Sequence, residues 1–140
     1  MREIGACEVL AQIDEESLGL LLAEIPDDME ILGPPREGLV LMTCREGLGS
    51  RFHPGEVQAC SCRVALRGVD GWGVVVGGDG RRALAAAALD SMERVRPQPS
   101  QLPRMRGIVQ EARESMQAKW SEEARLSAST RVEFDLLADA

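Results

Sequence analysis

The stretch Gly71-Trp72-Gly73-Val74-Val75-Val76-Gly77-Gly78-Asp79-Gly80-Arg81-Arg82 decides how the chain folds, because it holds a strand, a turn and a helix start in succession. Trp72, Val74 and Val76 alternate with Gly73, Val75 and Gly77, so both faces are nearly free of polar groups and the pattern predicts a strand inside a sheet. The alternation stops at Gly77-Gly78. Asp79 can accept a first-turn backbone N–H, and Ala83 to Met92 are mostly strong helix formers, which predicts a helix from Asp79 to about Val95 with Asp79 as its N-cap.

A helix start that follows glycines and carries two arginines has the parts of an anion site: orphan N–H groups, a positive dipole end and two cations. Gly78, Asp79, Gly80, Arg81 and Arg82, joined by Arg51, are therefore the candidate phosphate-binding residues. The run matches neither G-x-x-x-x-G-K-[ST] nor G-x-G-x-x-G, and a plain strand-to-helix connection with solvated arginines would read the same way.

Upstream, Leu39 to Arg45 and Glu56 to Leu66 read as strands that, with the Gly71 run, make an antiparallel meander; Met29 to Leu32 is a possible short fourth strand. The loop between the first two carries Arg51, His53 and Glu56 among glycines, so His53 and Glu56 are the catalytic candidates, with no catalytic residue assigned; a solvated hairpin end has the same composition. Before the meander, two apolar patterns reaching Ile25 predict two short helices, the second opening on Asp14-Glu15-Glu16 and ended by Pro26. Downstream, Arg96 to Pro103 is a proline-rich linker, and Met105, Ile108, Val109, Ala112, Met116 and Trp120 form the apolar stripe of a last helix. The tail Arg131-Val132-Glu133-Phe134-Asp135-Leu136 alternates polar and apolar residues as an added edge strand does, which makes Arg131, Val132, Phe134 and Leu136 the candidate partner interface. The expected fold is a single α+β domain over residues 1–140, an antiparallel meander of three to four strands packed against helices.

Composition narrows the function. A net charge of −7 disfavours nucleic acid and anionic membranes as the main partner. The start of the chain has no apolar signal region and no segment is long enough to cross a bilayer, so a cytoplasmic location is expected. Cys7, Cys44, Cys60 and Cys62 lack C-x-x-C spacing and read as reduced structural thiols; no metal or other cofactor is expected, although Cys60 and Cys62 share one side of their strand. With two Phe, two Trp and no Tyr, and with a helix of alanines apolar on nearly every side, the chain is expected to bury surface against partners and to self-associate when alone.

Taken in order, Arg51-Phe52, Gly55-Glu56-Val57, Val64 and Leu66, Gly71-Trp72-Gly73 through Gly77-Gly78-Asp79 to Asp90, and Arg131-Val132-Glu133-Phe134 resemble the small G subunit of the bacterial carbon-phosphorus lyase core complex. The likeness covers roughly residues 38–93 and 128–137. The sequence departs from the family pattern at Gly78, where the family has arginine, at Arg82, where it has histidine, at Leu84, where it has glutamate, and at Val74, where it has an aromatic residue. The resemblance implies an α+β accessory subunit of a transferase in phosphonate catabolism. Its partners would be the other phosphonate lyase subunits, especially the I subunit, and at the level of the complex ATP and a phosphonate, which give a ribose 1-phosphonate 5-triphosphate with release of adenine. The I subunit would carry most of the catalysis, and the iron-sulfur cluster of the lyase step belongs to another subunit. A small stand-alone enzyme acting on a phosphorylated ligand, or a non-catalytic interaction module, are the competing readings.

Overall fold

The structure, a computed structural model, describes residues 4–41, 44–45, 51–52 and 55–138, with 44–45, 51–52 and 129–138 described by their backbone course alone. Strand β5 (Glu56–Leu66) is the spine of an antiparallel four-stranded sheet. On one edge it pairs with β6 (Val69–Val76), from Leu66 opposite Val69 to Ala59 opposite Val76. The connecting Arg67-Gly68 has φ of 49° and 81°, the two positive angles of a hairpin turn whose twist matches its strands. On the other edge lie β1 (Glu30–Ile31), opposite Ala65 and Val64, and β2 (Arg36–Leu41), opposite Ser61 to Glu56. These two are one edge interrupted at Gly33-Pro34-Pro35, since proline cannot donate to a ladder. Strands β3 (Cys44–Arg45) and β4 (Arg51–Phe52) form a separate two-stranded ladder.

The Gly71 run is thus a sheet strand, but an edge one. Its outer edge meets side chains of α3 (Gly80–Arg94), the helix that follows, in place of another strand. Helices α1 (Ala6–Gln12), α2 (Glu15–Ala23), α3 and α4 (Leu102–Ala138) surround a core that reaches only one face of the sheet. Along β6 the residues Gly71, Gly73 and Val75 are buried beneath them, while Trp72 is 61% exposed and Val76 lies bare beside it.

Glycine at 71 and 73 is dictated by α3. A Cβ built on Gly71 would fall 2.3 Å from the Ala87 carbonyl oxygen, and one on Gly73 would fall 2.5 Å from the Ala87 nitrogen. The backbone of the helix lies directly on the backbone of the strand, which is why the helix is lined by Ala83, Ala86 and Ala87. All five alanines from Ala83 and Ala85 to Ala88 are buried, and α1, α2 and α4 complete the cover. The expectation that this helix needs surface from another chain is therefore corrected: its own domain encloses it.

Helix α4 buries Leu102, Met105 and Val109, and packs Ile108, Ala112, Met116 and Trp120 against the same core. From Ser121 to Ala128 every residue is exposed, and the backbone stays helical to Ala138. Arg131–Leu136, expected as a strand, is helical in the single chain. No glycine or proline follows Gly107, and a helix satisfies its own N–H and C=O groups where a lone strand would leave them unpaired.

Candidate functional site

The turn from β6 into α3 is shaped residue by residue. Gly77, at φ 107°, ends the strand while its N–H donates to the Gln58 carbonyl at 2.8 Å. The Asp79 carboxylate accepts the Arg81 N–H at 3.1 Å and so caps α3, as the sequence indicated. Gly80 is packed on Pro35, whose Cβ would lie 2.9 Å from a Cβ there. Beside Gly78 are the side chains of Gln58 and Glu37, joined at 3.2 Å.

The two arginines are drawn inward and do not stand free. Arg81 pairs with Asp79 at 2.8 Å and with Glu15 at 3.0 Å. The side chain of Arg82 is only 14% exposed; it donates to the Leu10 and Ile13 carbonyls at 3.0 and 2.6 Å and pairs with Asp79 at 3.2 Å. A cation on these carbonyls at the end of α1 satisfies groups that the helix cannot bond itself. Arg82 is thus a clamp between α1 and the start of α3. The hydrogen bonds and charge of Arg81, helped by Arg82, hold the Asp79 carboxyl at about 2, below its ordinary 3.8. Glu15, Glu37 and Asp79 place three carboxylates around the turn, so an entering anion must displace a carboxylate from Arg81.

The other sequence candidates do not join this cluster. Glu56 begins β5, exposed and opposite Leu41. Arg51 lies in β4 opposite Arg45, with its side chain outside the described atoms, and His53 is outside the described residues. Cys60 and Cys62 face the helices as buried thiols, and burial pushes both upward from the usual thiol value. Among the described residues no group of histidine, cysteine and acidic side chains could hold a metal.

Asp90 and Glu15 were not singled out as site residues. Asp90 accepts the Trp72 N–H at 2.9 Å and pairs with Arg94 at 3.0 Å, while Arg94 also donates to the Asp70 carbonyl. The buried Ser91 hydroxyl donates to the Val69 carbonyl at 2.6 Å. A mid-helix acid facing a glycine-flanked strand is the only signal in the sequence for this contact. Next to it is a cleft of about 410 Å³ bordered by Cys7, Trp72, Asp90, Glu93, Arg106 and Arg113. Its charged groups are already engaged: Arg106 with Glu93 at 3.6 Å, Arg113 with the Ile4 carbonyl at 2.8 Å, and Asp90 with Trp72.

What the fold and the turn define is a two-layer α+β domain with one face of its sheet covered, one face bare, and a charged turn whose ions neutralise each other. Residues 4–138 match the family model of Phosphonate metabolism protein PhnG, and the chain belongs to that family, the one its motifs resemble. It acts in phosphonate metabolism. No curated protein matches the chain. Among the described residues no helix is long and apolar enough to cross a membrane.

Proposed function

We propose that this chain is an accessory subunit of a carbon-phosphorus lyase complex. In it the I subunit displaces the adenine of ATP by a phosphonate to give a ribose 1-phosphonate 5-triphosphate, and this chain supplies surface and positioning in a cytoplasmic hetero-oligomer. Membership of the family supports the pathway. The accessory role is carried by one observation: the charged motif residues Asp79, Arg81 and Arg82 are bonded to one another, to Glu15 and to α1. A self-sufficient enzyme needs a nucleophile or base beside free oxyanion donors, and no such set is gathered among the described residues.

A minor phosphate subsite at Gly78 to Arg82 is part of this reading, because the Arg81 side chain is half exposed and its Glu15 partner is exposed too. Arg81 could exchange a carboxylate for a phosphate oxygen, whereas Arg82 cannot leave its carbonyls without freeing α1. Arg131, Val132, Phe134 and Leu136 belong to the partner-facing surface in the same reading.

Co-expression with the other phosphonate subunits tests the proposal. The expected result is a stable complex of fixed stoichiometry containing the chain and the I subunit. A chain that elutes apart from them under all conditions would contradict it. Triphosphate titrated into the complex should bind more weakly after Arg81→Ala; equal binding would remove the subsite.

A further inference from the structure

The sheet protects its edges unequally. Along β6 the Asp90–Arg94 pair occupies the Trp72 N–H and the Asp70 carbonyl, so a strand cannot add there without expelling two side chains. Along β1 the break at Gly33-Pro34-Pro35 keeps the edge too short for a ladder. Along β2 no such device stands among the described residues. Among the described residues, no backbone group of Arg36–Leu41 bonds to anything beyond β5. All six residues are exposed, with Leu39 at 68% and apolar side chains on both faces, since Val40 shares the face of Trp72 and Leu39 and Leu41 lie on the other. Arg36 has no acidic partner among the described residues. An edge of this length that is unpaired among the described residues and apolar from Leu39 to Leu41 is a template for an added strand.

We infer that β2 receives Arg131–Leu136 of a second copy of this chain as an added strand, reciprocally, so that two domains exchange their C-terminal segments. The segment alternates as a strand does and has the six-residue length of the edge. An antiparallel register with Phe134 opposite Leu39 pairs residues 132–136 of the segment with 41–37 of the edge, sets Val132 opposite Leu41 and brings Asp135 one diagonal step from Arg36. Unwinding the donor costs little. Ser127, Ser129, Thr130 and Val132 are weak helix formers, and the helix from Ser121 to Ala128 that leads into the segment is exposed. A single chain keeps this segment helical and leaves the outer edge of β2 without a partner among the described residues, so the second copy supplies what the first does not supply to itself. The inference concerns the isolated chain and stands or falls apart from the phosphonate complex.

Light scattering on the purified full chain, from low to high micromolar, tests it. The wild type should reach twice its monomer mass. Leu39→Lys/Leu41→Lys, which charges the edge, and deletion of residues 129–140, which removes the donor, should each stay monomeric, and mixing the two should restore a mixed dimer. A monomeric wild type, a dimer that survives either change, or an inert mixture would overturn the inference. If the lysine variant does not fold, an isotope-labelled peptide of residues 129–140 replaces it. Titrated into the tail-deleted chain it should gain the β-sheet amide band; binding without that band, or no binding, would overturn the inference equally.

Discussion

The two faces of the sheet carry opposite residue types in the same strands. Beneath the helices β6 presents Gly71, Gly73 and Val75, and β5 presents Cys60, Cys62, Val64 and Leu66, all buried. On the open face Trp72, Val74 and Val76 stand beside Arg63, Arg36 and Val40, and among the described residues no helix packs over them. The small residues went to the covered side because α3 approaches backbone to backbone. The large aromatic residue went to the side that no described helix covers, where it is 61% exposed. An exposed Trp flanked by arginines and β-branched residues has the composition of an interface anchor. The covered face therefore specifies the fold, and we propose the exposed face as a surface for partners.

The largest effect should come from forcing a side chain into the covered face. Gly73→Val would drive a branched side chain into the backbone of α3 and should cost about 3 kcal/mol or more, enough to abolish a cooperative denaturation transition. A mild loss would mean that α3 can lift away and that the covered face is not the specifying one.

Arg82→Met comes next. It keeps volume but leaves the Leu10 and Ile13 carbonyls without their donor and should cost about 2 kcal/mol by chemical denaturation. The same substitution should leave partner binding unchanged once the protein is folded. Loss of binding without loss of stability would move Arg82 to the functional side of the comparison.

Acid should act through the same turn. Asp79 sits at about 2 when folded against 3.8 unfolded, so its contribution is complete above pH 4 and is lost as pH falls through 2. Stability should drop by about 1 to 2 kcal/mol across that window, and Asp79→Asn should flatten the drop. An identical acid profile for the variant would remove the turn as its source.

The smallest stability effect belongs to the open face. Trp72→Ser should change folding by no more than about 0.5 kcal/mol, because its ring is largely in water. It should nevertheless weaken recovery of the phosphonate complex. A large destabilisation would show that the open face is part of the fold after all.

Much of this was legible in the chain. The boundaries of β5 and α3, the Asp79 cap and the apolar stripe of α4 follow from local signals, namely alternation, capping chemistry and helical periodicity. What was not legible is set by distance across the fold. The apolar run 71–76 looks the same whether strands flank it or a helix covers one face, so its edge position could not be read. Arg82 looked like a free cation because the carbonyls it serves lie about 70 residues earlier, at Leu10 and Ile13. The alanines of α3 suggested a need for outside partners because their count says nothing about how closely a glycine strand lets them approach. Arg131–Leu136 alternates as a strand does and is a helix all the same, because a helix satisfies its own backbone groups without a neighbouring edge.

We propose that this domain folds by itself and functions only within an assembly. The decisive measurement is release of adenine from ATP in the presence of methylphosphonate, by the chain alone, by the other phosphonate subunits without it, and by all together. The chain alone should release none, and release by the assembly should fall sharply when the chain is omitted. Turnover by the isolated chain, or an assembly equally active without it, would show that the chain is not an accessory subunit.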